Sequence, residues 1–492
     1  MRIDRTYSSL ALAGPGLIVL VLLSGCKPVG PNYSTPAYQA PAAYKELGAS
    51  AIVPPPAPKD GAWSTATPID DQARGKWWEV YQDSRLNELE EELTKANYDL
   101  KQANEVYLAS HDQARAARAS LFPTISAGPS IGRTNLSANR PETSSYTHYN
   151  DFALGGQASW EPDFWGRIHR SVEAAHATAQ ASAADLATLN LSLHAELASD
   201  YFSLRGLDSQ VKMMTATVAN LQSQLELTEQ RLAGGVSTEA DVELARTQLE
   251  TVRAQLVDLS ASRALLEHAI ATLTGQNAAG FALAPAPLEQ ALPKIPVGVP
   301  SELLERRPDI AAAERRVAAA NEQIGIAQSA YYPDIALSAS GGFESTHSGT
   351  WLVGPSEFWA LGASATELLF DGGKRRALTD QARHNYQAQT DAYRSTVLNA
   401  FNGVEDQLST LRVLEEEAGV EQKAVDSAQR SLELSNQRYK GGVTNYLEVL
   451  TTESALLDNQ RTAIGITTRQ FVASVGLVRA LGGGWRTQQL PR

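Results

Sequence analysis

A long internal duplication constrains this chain more than any other feature of its sequence. Asn97-Tyr98-Asp99-Leu100 recurs as Arg307-Pro308-Asp309-Ile310, and Leu121-Phe122-Pro123-Thr124-Ile125 recurs as Tyr331-Tyr332-Pro333-Asp334-Ile335, both at an offset of about 210 residues. Further on, Glu226-Leu227 through Gln230-Arg231 to Gly234-Gly235-Val236 matches Glu433-Leu434 through Gln437-Arg438 to Gly441-Gly442-Val443. Solenoid units are several times shorter than this period, so the chain is a tandem duplication of one large unit. Each copy has the same order: a helix, two short strands with a loop between them, a very long helix, a Gly-Gly turn and another helix.

The helical runs are Leu86–Ser120, Arg167–Ala233, Thr238–Thr274, Ala311–Ala330, Arg375–Lys440 and Asn445–Leu481. They are rich in Ala, Leu, Gln, Glu and Arg and hold no proline. Arg167–Ala233 would span roughly 100 Å at 1.5 Å per residue, and Leu86–Ser120 plus Thr238–Thr274 give about the same total. Two shorter helices stacked end to end would therefore lie beside each long one. Rods of that length do not fit a globular domain and predict a coiled-coil barrel or stalk projecting from a membrane. Ala and Leu hairpins alone could equally make a solid bundle, and the strands argue against that.

The strands alternate. Ile125, Ala127 and Ile131 interleave with Thr124, Ser126, Gly128 and Ser130, and Phe152, Leu154, Ala158 and Trp160 with Gln157, Ser159 and Glu161. In the second copy Ile335, Leu337, Ala339 and Phe343 interleave with Asp334, Ala336, Ser338 and Ser340, while Phe358–Glu367 is ambiguous in phase. Runs of about ten residues suit a tilted strand crossing a bilayer, and Phe122, Trp160, Trp165, Tyr331, Tyr332, Trp351 and Trp359 are spaced like interfacial girdles. Four strands cannot close a barrel, and an open edge is forbidden in lipid. The chain is therefore expected to oligomerise, three copies giving about twelve strands.

The amino terminus sets the compartment. Arg2 and Arg5 precede an apolar run from Leu10 to Leu23 that is too short to span a bilayer and ends in Leu23-Ser24-Gly25-Cys26, so residues 1–25 read as a signal peptide. Cys26 is the only cysteine, which excludes internal disulfides and cysteine-clustered metal sites. The Leu-Ser-Gly-Cys string resembles the bacterial lipobox, which implies a lipidated Cys26 as mature residue one and a durable acyl anchor. Lys27 after it, in proteins of that kind, implies the outer membrane. Residues 26–68 are rich in Pro, Ala and Tyr, with Pro54-Pro55-Pro56 at the densest point, and read as an extended lipid-anchored tether.

Leu303-Leu304-Glu305-Arg306-Arg307-Pro308-Asp309-Ile310, then Ala313-Glu314, Ala320-Asn321, Ile324-Gly325 and Pro333, resembles the signature of the OprM/NodT-like lipoprotein branch of the TolC-like outer-membrane factors. The lipobox, the duplication, the paired Gly-Gly turns and Leu368-Leu369-Phe370-Asp371-Gly372-Gly373 agree with it, so the resemblance covers essentially the mature chain. It implies a mainly α fold with a membrane β-barrel: four strands per chain, a homotrimeric twelve-stranded barrel and a periplasmic α-barrel. The copies are expected at 69–290 (strands about 122–133 and 151–162) and 291–484 (strands about 332–344 and 357–369), with a short tail at 485–492. The implied role is the exit duct of a tripartite efflux system for drugs, toxic compounds or metals. Its implied partners are a periplasmic adaptor (membrane fusion) protein and an inner-membrane pump of the resistance-nodulation-division type. A type I protein-secretion duct is the alternative. A periplasmic adaptor lipoprotein would bring lipoyl-like and β-barrel domains absent here.

The candidate site residues lie at the Gly-Gly turns. Gly234-Gly235 and Gly441-Gly442 permit positive φ at helix C-termini, and Ser237-Thr238 and Thr444-Asn445 can cap the helices that follow. The resemblance makes Gly234, Gly235, Val236, Gly441, Gly442 and Val443 a periplasmic tip that meets the adaptor, and Asp241, Tyr439, Glu448 and Thr451 a gate. In that reading a Tyr439 hydroxyl to Asp241 carboxylate bond pins neighbouring hairpins, and Glu448 forms a ring of three carboxylates. Thr451 stands where the TolC pattern has a second acidic residue.

Catalytic chemistry has no foothold. His169 and His176 share a helical face without a ligand-spaced partner, and Gly482-Gly483-Gly484 lacks the strand before and the Lys-Ser/Thr after that a phosphate loop needs. The net charge of −13 is spread over mixed signs, and nothing in it suggests nucleic-acid binding. No enzyme activity, metal site or cofactor is expected beyond the covalent lipid on Cys26.

Overall fold

The computed structural model describes residues 28–38, 40–41, 43–47, 75–137, 139, 148–295, 297, 300, 303–485 and 489–491. The signal peptide, Cys26 and most of the 26–68 segment lie outside the described residues. The elements are α1 (Ser84–Ala96), α2 (Tyr98–Ala119), β1 (Thr124–Asn135), β2 (His148–Trp160), α3 (Arg167–Ala233) and α4 (Glu239–Leu273) in the first copy. The second has a single turn at Leu303–Arg306, then α5 (Pro308–Ser329), β3 (Asp334–Ser345), β4 (Glu357–Thr366), α6 (Lys374–Lys440) and α7 (Tyr446–Ala480). The duplication is metrical: α3 and α6 each have 67 residues, α4 and α7 each 35, and α2 and α5 each 22.

The continuous helix expected over Leu86–Ser120 is in fact two. Asn97 breaks it because its side chain is needed elsewhere: Oδ1 accepts from the Leu100 amide at 2.9 Å, and Nδ2 donates to the Leu273 carbonyl at 2.9 Å, capping the C-terminus of α4. The second copy repeats the device with other chemistry, as Arg307 Nη1 donates to the Ala480 carbonyl at the end of α7. Glycine fits at the matching turns because a Cβ on Gly275 would lie 2.7 Å from the Ala96 carbonyl oxygen, and one on Gly482 would lie 2.2 Å from that of Arg306.

The chain divides into two compact units. Among the described residues, one draws on the ranges 28–37, 107–182 and 313–393, the other on 38–106, 183–312 and 394–491. The first holds a four-stranded antiparallel sheet in the order β1-β2-β3-β4. Its register aligns Ile125, Ala158, Ala339 and Leu361 in one row and Ala127, Gly156, Gly341 and Trp359 in the next. One face is thus apolar across all four strands, while Ser126, Gln157, Ser340 and Ala360 share the other. This settles the phase of β4, with Trp359, Leu361, Ala363 and Ala365 on the apolar face. That face is bare, Ile125 being 77% and Trp359 74% exposed.

The second unit has the largest apolar cluster. Trp77, Trp78 and Tyr81 pack with Leu86, Leu89 and Leu93 of α1, Tyr201 and Phe202 of α3, and Phe471 and Val475 of α7. A second cluster along α3, α4, α6 and α7 gathers Leu221, Leu225, Val242, Ala245, Leu249, Tyr439, Tyr446, Val449 and Leu457. Among the described residues no helix is long and apolar enough to cross a membrane.

Candidate functional site: the two hairpin tips

Each long helix ends in the same turn. Val236 N donates to the Arg231 carbonyl at 2.8 Å and Gly235 N to that of Leu232 at 2.9 Å. Val443 and Gly442 do the same to Arg438 and Tyr439 at 2.9 and 3.0 Å. These paired bonds are a Schellman closure, which needs one residue with positive φ. Only the second glycine of each pair supplies it, Gly235 at +74° and Gly442 at +73°, so the expectation of positive φ at both glycines narrows to one. The valines that follow are left bare, Val236 66% and Val443 71% exposed.

The predicted gate carboxylates sit beside the caps of the helices leaving the tips, which are Thr238 and Asn445. The Thr238 side chain accepts from the Asp241 amide while the Asp241 carboxylate accepts from Thr238 N at 3.0 Å, Thr238 Oγ1 at 2.8 Å and Ser237 Oγ at 3.1 Å, a closed capping box. Partial burial pushes the Asp241 pKa up, but these donors outweigh it and hold the carboxyl below its ordinary value. In the second hairpin Asn445 Oδ1 accepts from the Glu448 amide at 3.3 Å, and the Glu448 carboxylate takes the Thr444 hydroxyl and Arg438 Nη1, the latter at 3.0 Å.

Within the chain, therefore, Asp241 and Tyr439 are not joined. Tyr439 is buried, its ring edge-on to Tyr446 at 5.6 Å and under the Arg231 guanidinium at 4.6 Å, with its hydroxyl 3.4 Å from Thr228 Oγ1. Thr451 returns its hydroxyl to the Leu447 carbonyl at 2.8 Å. Within one chain no such bond forms, since capping groups lie within their own turn and a carboxylate at the third helical position meets its own cap first.

Sequence reading missed a buried polar seam one turn deeper. Tyr446 donates its hydroxyl to Gln224 Oε1 at 3.2 Å, Gln224 Nε2 donates to Glu453 Oε1 at 3.3 Å, and Glu453 Oε2 is buried without a partner. Burial raises the Glu453 pKa from 4.5 to about 7, against a lowering by the Gln224 bond. The signal was present in the sequence, for Glu453 interrupts the apolar stripe Tyr446, Val449, Leu456, Leu457. Among the described residues no group of His, Cys, Asp and Glu could hold a metal. The tips therefore offer apolar contact, ordered backbone and carboxylates engaged by hydrogen bonds.

The chain matches the family described as "Outer membrane efflux protein" over residues 89–276 and 299–483. It is 30% identical over 457 residues to the pyoverdine export outer membrane protein OpmQ of Pseudomonas aeruginosa, covering 90% of this chain and 96% of that one. To the toluene efflux pump outer membrane protein TtgC of Pseudomonas putida it is 29% identical, covering 98% and 97%. Among solved structures the outer-membrane channel OprN superposes with a TM-score of 0.83 at 29% identity, covering 93% of this chain and 99% of that one. The outer membrane protein VceC of Vibrio cholerae does so with a TM-score of 0.79, also at 29% identity, covering 84% and 99%. With two copies of one helix–strand unit, a bare apolar sheet and this extent of likeness, the chain belongs to the outer membrane efflux protein family.

Proposed function

We propose that this protein is the outer-membrane exit duct of a tripartite efflux system that exports small molecules, working as a homotrimer with a periplasmic adaptor and an inner-membrane pump of the resistance-nodulation-division type. The observation that carries the reading is the sheet: a bare apolar face ending in two unpaired edges, β1 and β4. In water such a surface is an aggregation hazard; in a bilayer, with β4 of one copy against β1 of the next, every strand finds a partner and the apolar face meets lipid. Small-molecule cargo is favoured over protein secretion because the relatives named above are the outer membrane proteins of pyoverdine export and of a toluene efflux pump. The bare Val236 and Val443 are the contact offered to the adaptor, and lipidated Cys26 is the anchor.

In detergent the protein is expected to run as a trimer and to conduct in planar bilayers, and its loss should sensitise cells to toxic small molecules. A stable, non-conducting monomer would overturn the duct. Palmitate incorporation that persists in Cys26→Ser would overturn the anchor alone.

A further inference from the structure

The first turns of α3 and α6 carry one charge pattern twice. His169, Glu173 and His176 on α3 correspond to Arg376, Asp380 and Arg383 on α6, at the same 207-residue offset that relates the two helix starts. Positions i, i+4 and i+7 share a helical face, so each copy presents a basic, an acidic and a basic side chain in a row. A recess of about 670 Å³ lies against the α3 row and is also lined by Arg118 of α2 and by Arg315 and Glu322 of α5. One of about 360 Å³ lies against the α6 row, where Gln328, Tyr331 and Tyr332 at the end of α5 line its other side.

The two recesses differ in how far their charges are already satisfied. In the first, His169 Nε2 meets Glu173 Oε1 at 3.1 Å, while Arg170 and Arg315 are ion-paired with Glu322 and Glu314. With histidine counted neutral, Arg118 and Glu173 cancel, and no net charge is left. In the second, Arg383 Nη1 takes Asp380 Oδ1 at 3.2 Å, and Arg376 has no hydrogen bond or ion pair among the described residues. Two guanidiniums against one carboxylate leave one positive charge. The side chain of Gln328 and the hydroxyls of Tyr331 and Tyr332 are likewise without a hydrogen bond among the described residues. Side chains make this site rather than the helix end, because Asp371 already accepts from Gly373 N at 2.9 Å and Arg375 N at 3.0 Å.

Depth identifies the ligand. Arg375, next to Arg376, donates to the Glu367 carboxylate just after β4 at 3.2 Å and to the Ala330 carbonyl at 3.3 Å, which pins the start of α6 to the end of the sheet. Tyr332 stacks on Trp165 at 4.8 Å, and Trp165 Nε1 donates to the Pro333 carbonyl at 2.8 Å, immediately before β3. Four residues separate Tyr331 from Ile335, the first apolar residue of β3, a span of at most about 13 Å. A headgroup layer of roughly 5–7 Å adjoins each side of the hydrocarbon core, so with the apolar face in that core the recess borders the headgroups, at a level where tyrosine and tryptophan are favoured.

We infer that Arg376, Arg383, Gln328 and Tyr331 form a binding site for the phosphodiester headgroup of an anionic phospholipid in the leaflet nearest the helices. The inference rests on the duct reading, which puts the sheet in a bilayer. A planar guanidinium meets two phosphate oxygens at once, and the tyrosine hydroxyl and glutamine amide supply further donors. One uncompensated positive charge matches a singly charged diester, and Asp380 opposes the second charge of a free phosphate. The α3 recess has the same frame without the surplus charge, so it does not share the role.

The test uses the full-length protein purified as a trimer in detergent and exchanged into mixed phosphatidylglycerol and phosphatidylethanolamine, with bound lipid read by native mass spectrometry. Phosphatidylglycerol should be retained in preference. Arg376→Gln with Arg383→Gln should lower its retention several-fold, while the matched pair His169→Gln with His176→Gln leaves it unchanged. Tyr331→Phe removes a single hydroxyl and should lower retention by a smaller factor, which keeps the site testable where the arginine pair fails to assemble. Equal retention in all variants, equal retention of the two lipids, or displacement by excess inorganic phosphate would each overturn the assignment. Planar-bilayer conductance separates it from the duct: variants that lose lipid but still conduct support the site. A parent that does not conduct removes the duct, and this inference with it.

Discussion

The two hairpin tips are the same object in backbone and different objects in side chains. At an offset of 207 residues, Tyr439, Tyr446 and Glu453 of the second hairpin correspond to Leu232, Glu239 and Arg246 of the first. The second set is buried in the seam; the first is exposed, with Arg246 in ion pairs to Glu243 and Glu229 at its surface. Duplication supplied identical turns, and divergence turned one hairpin into the partner that inserts and the other into the surface that receives, for it is Gln224, Thr228 and Arg231 of the first hairpin that meet Tyr446, Tyr439 and Glu453. Fold and turn geometry are thus shared, whereas the buried Tyr439, Tyr446 and Glu453 of the seam belong to one copy.

The comparison breaks most visibly at Tyr446. Tyr446→Ala should destabilise by about 3–5 kcal/mol, as expected for deleting a buried aromatic. Its counterpart Glu239→Ala should stay within about 0.5 kcal/mol. Thermal or denaturant unfolding of the detergent-solubilised protein measures both, and equal losses would show that the asymmetry has no energetic content.

Glu453 gives the next largest effect, and it depends on pH. Its native pKa is raised from 4.5 to about 7, so between those values the folded chain keeps a proton that the unfolded chain has lost. Stability therefore falls as pH rises from about 4.5 to 7, and stays low above. Glu453→Gln should remove that slope and add up to roughly 3 kcal/mol at pH 8, with little change at pH 4. Arg246→Gln should shift stability by less than about 1 kcal/mol, and less at high salt. A wild-type melting temperature that does not move between pH 5 and 8 would refute the placement of Glu453.

The shared backbone predicts equality elsewhere. Gly235→Ala and Gly442→Ala should each cost about 1–2 kcal/mol, because both hold the left-handed conformation. Gly234→Ala should be nearly silent, its Cβ meeting nothing closer than 3.6 Å.

The smallest effect concerns ions. Arg438 already neutralises Glu448, so Glu448→Gln should leave cation selectivity almost unchanged in planar bilayers, while Arg438→Gln should raise it. The reverse order would place a free carboxylate ring at Glu448.

How far the sequence carried this reading differs by level. The bounds of α3 are legible because a proline-free run rich in Ala, Leu and Gln stops at a Gly-Gly pair. The break at Asn97 is not, since its cause is the Leu273 carbonyl far along the chain. The phase of β4 was hidden by Phe358 and Trp359 side by side, and only pairing with β3 decides it. The capping role of Asp241 is legible in Thr238-Glu239-Ala240-Asp241, a capping box with Asp for Glu. The buried seam required noticing one acid in an apolar stripe, because which face of a coiled coil is covered depends on partners that a single helix does not reveal.

The equal helix lengths, 67 with 67 and 35 with 35, make the duplicated rods a gauge with discrete settings. Removing seven residues from one rod alone would displace its turn by roughly 10 Å relative to the other, so a workable change of reach must be made in α3, α4, α6 and α7 together, in steps that preserve the packed face. The strands are under no such rule, since β2 has 13 residues and β4 has 10. Variation in length has a place to go at the strand loops, and the reach of the rods is kept in register by inheritance of both copies at once.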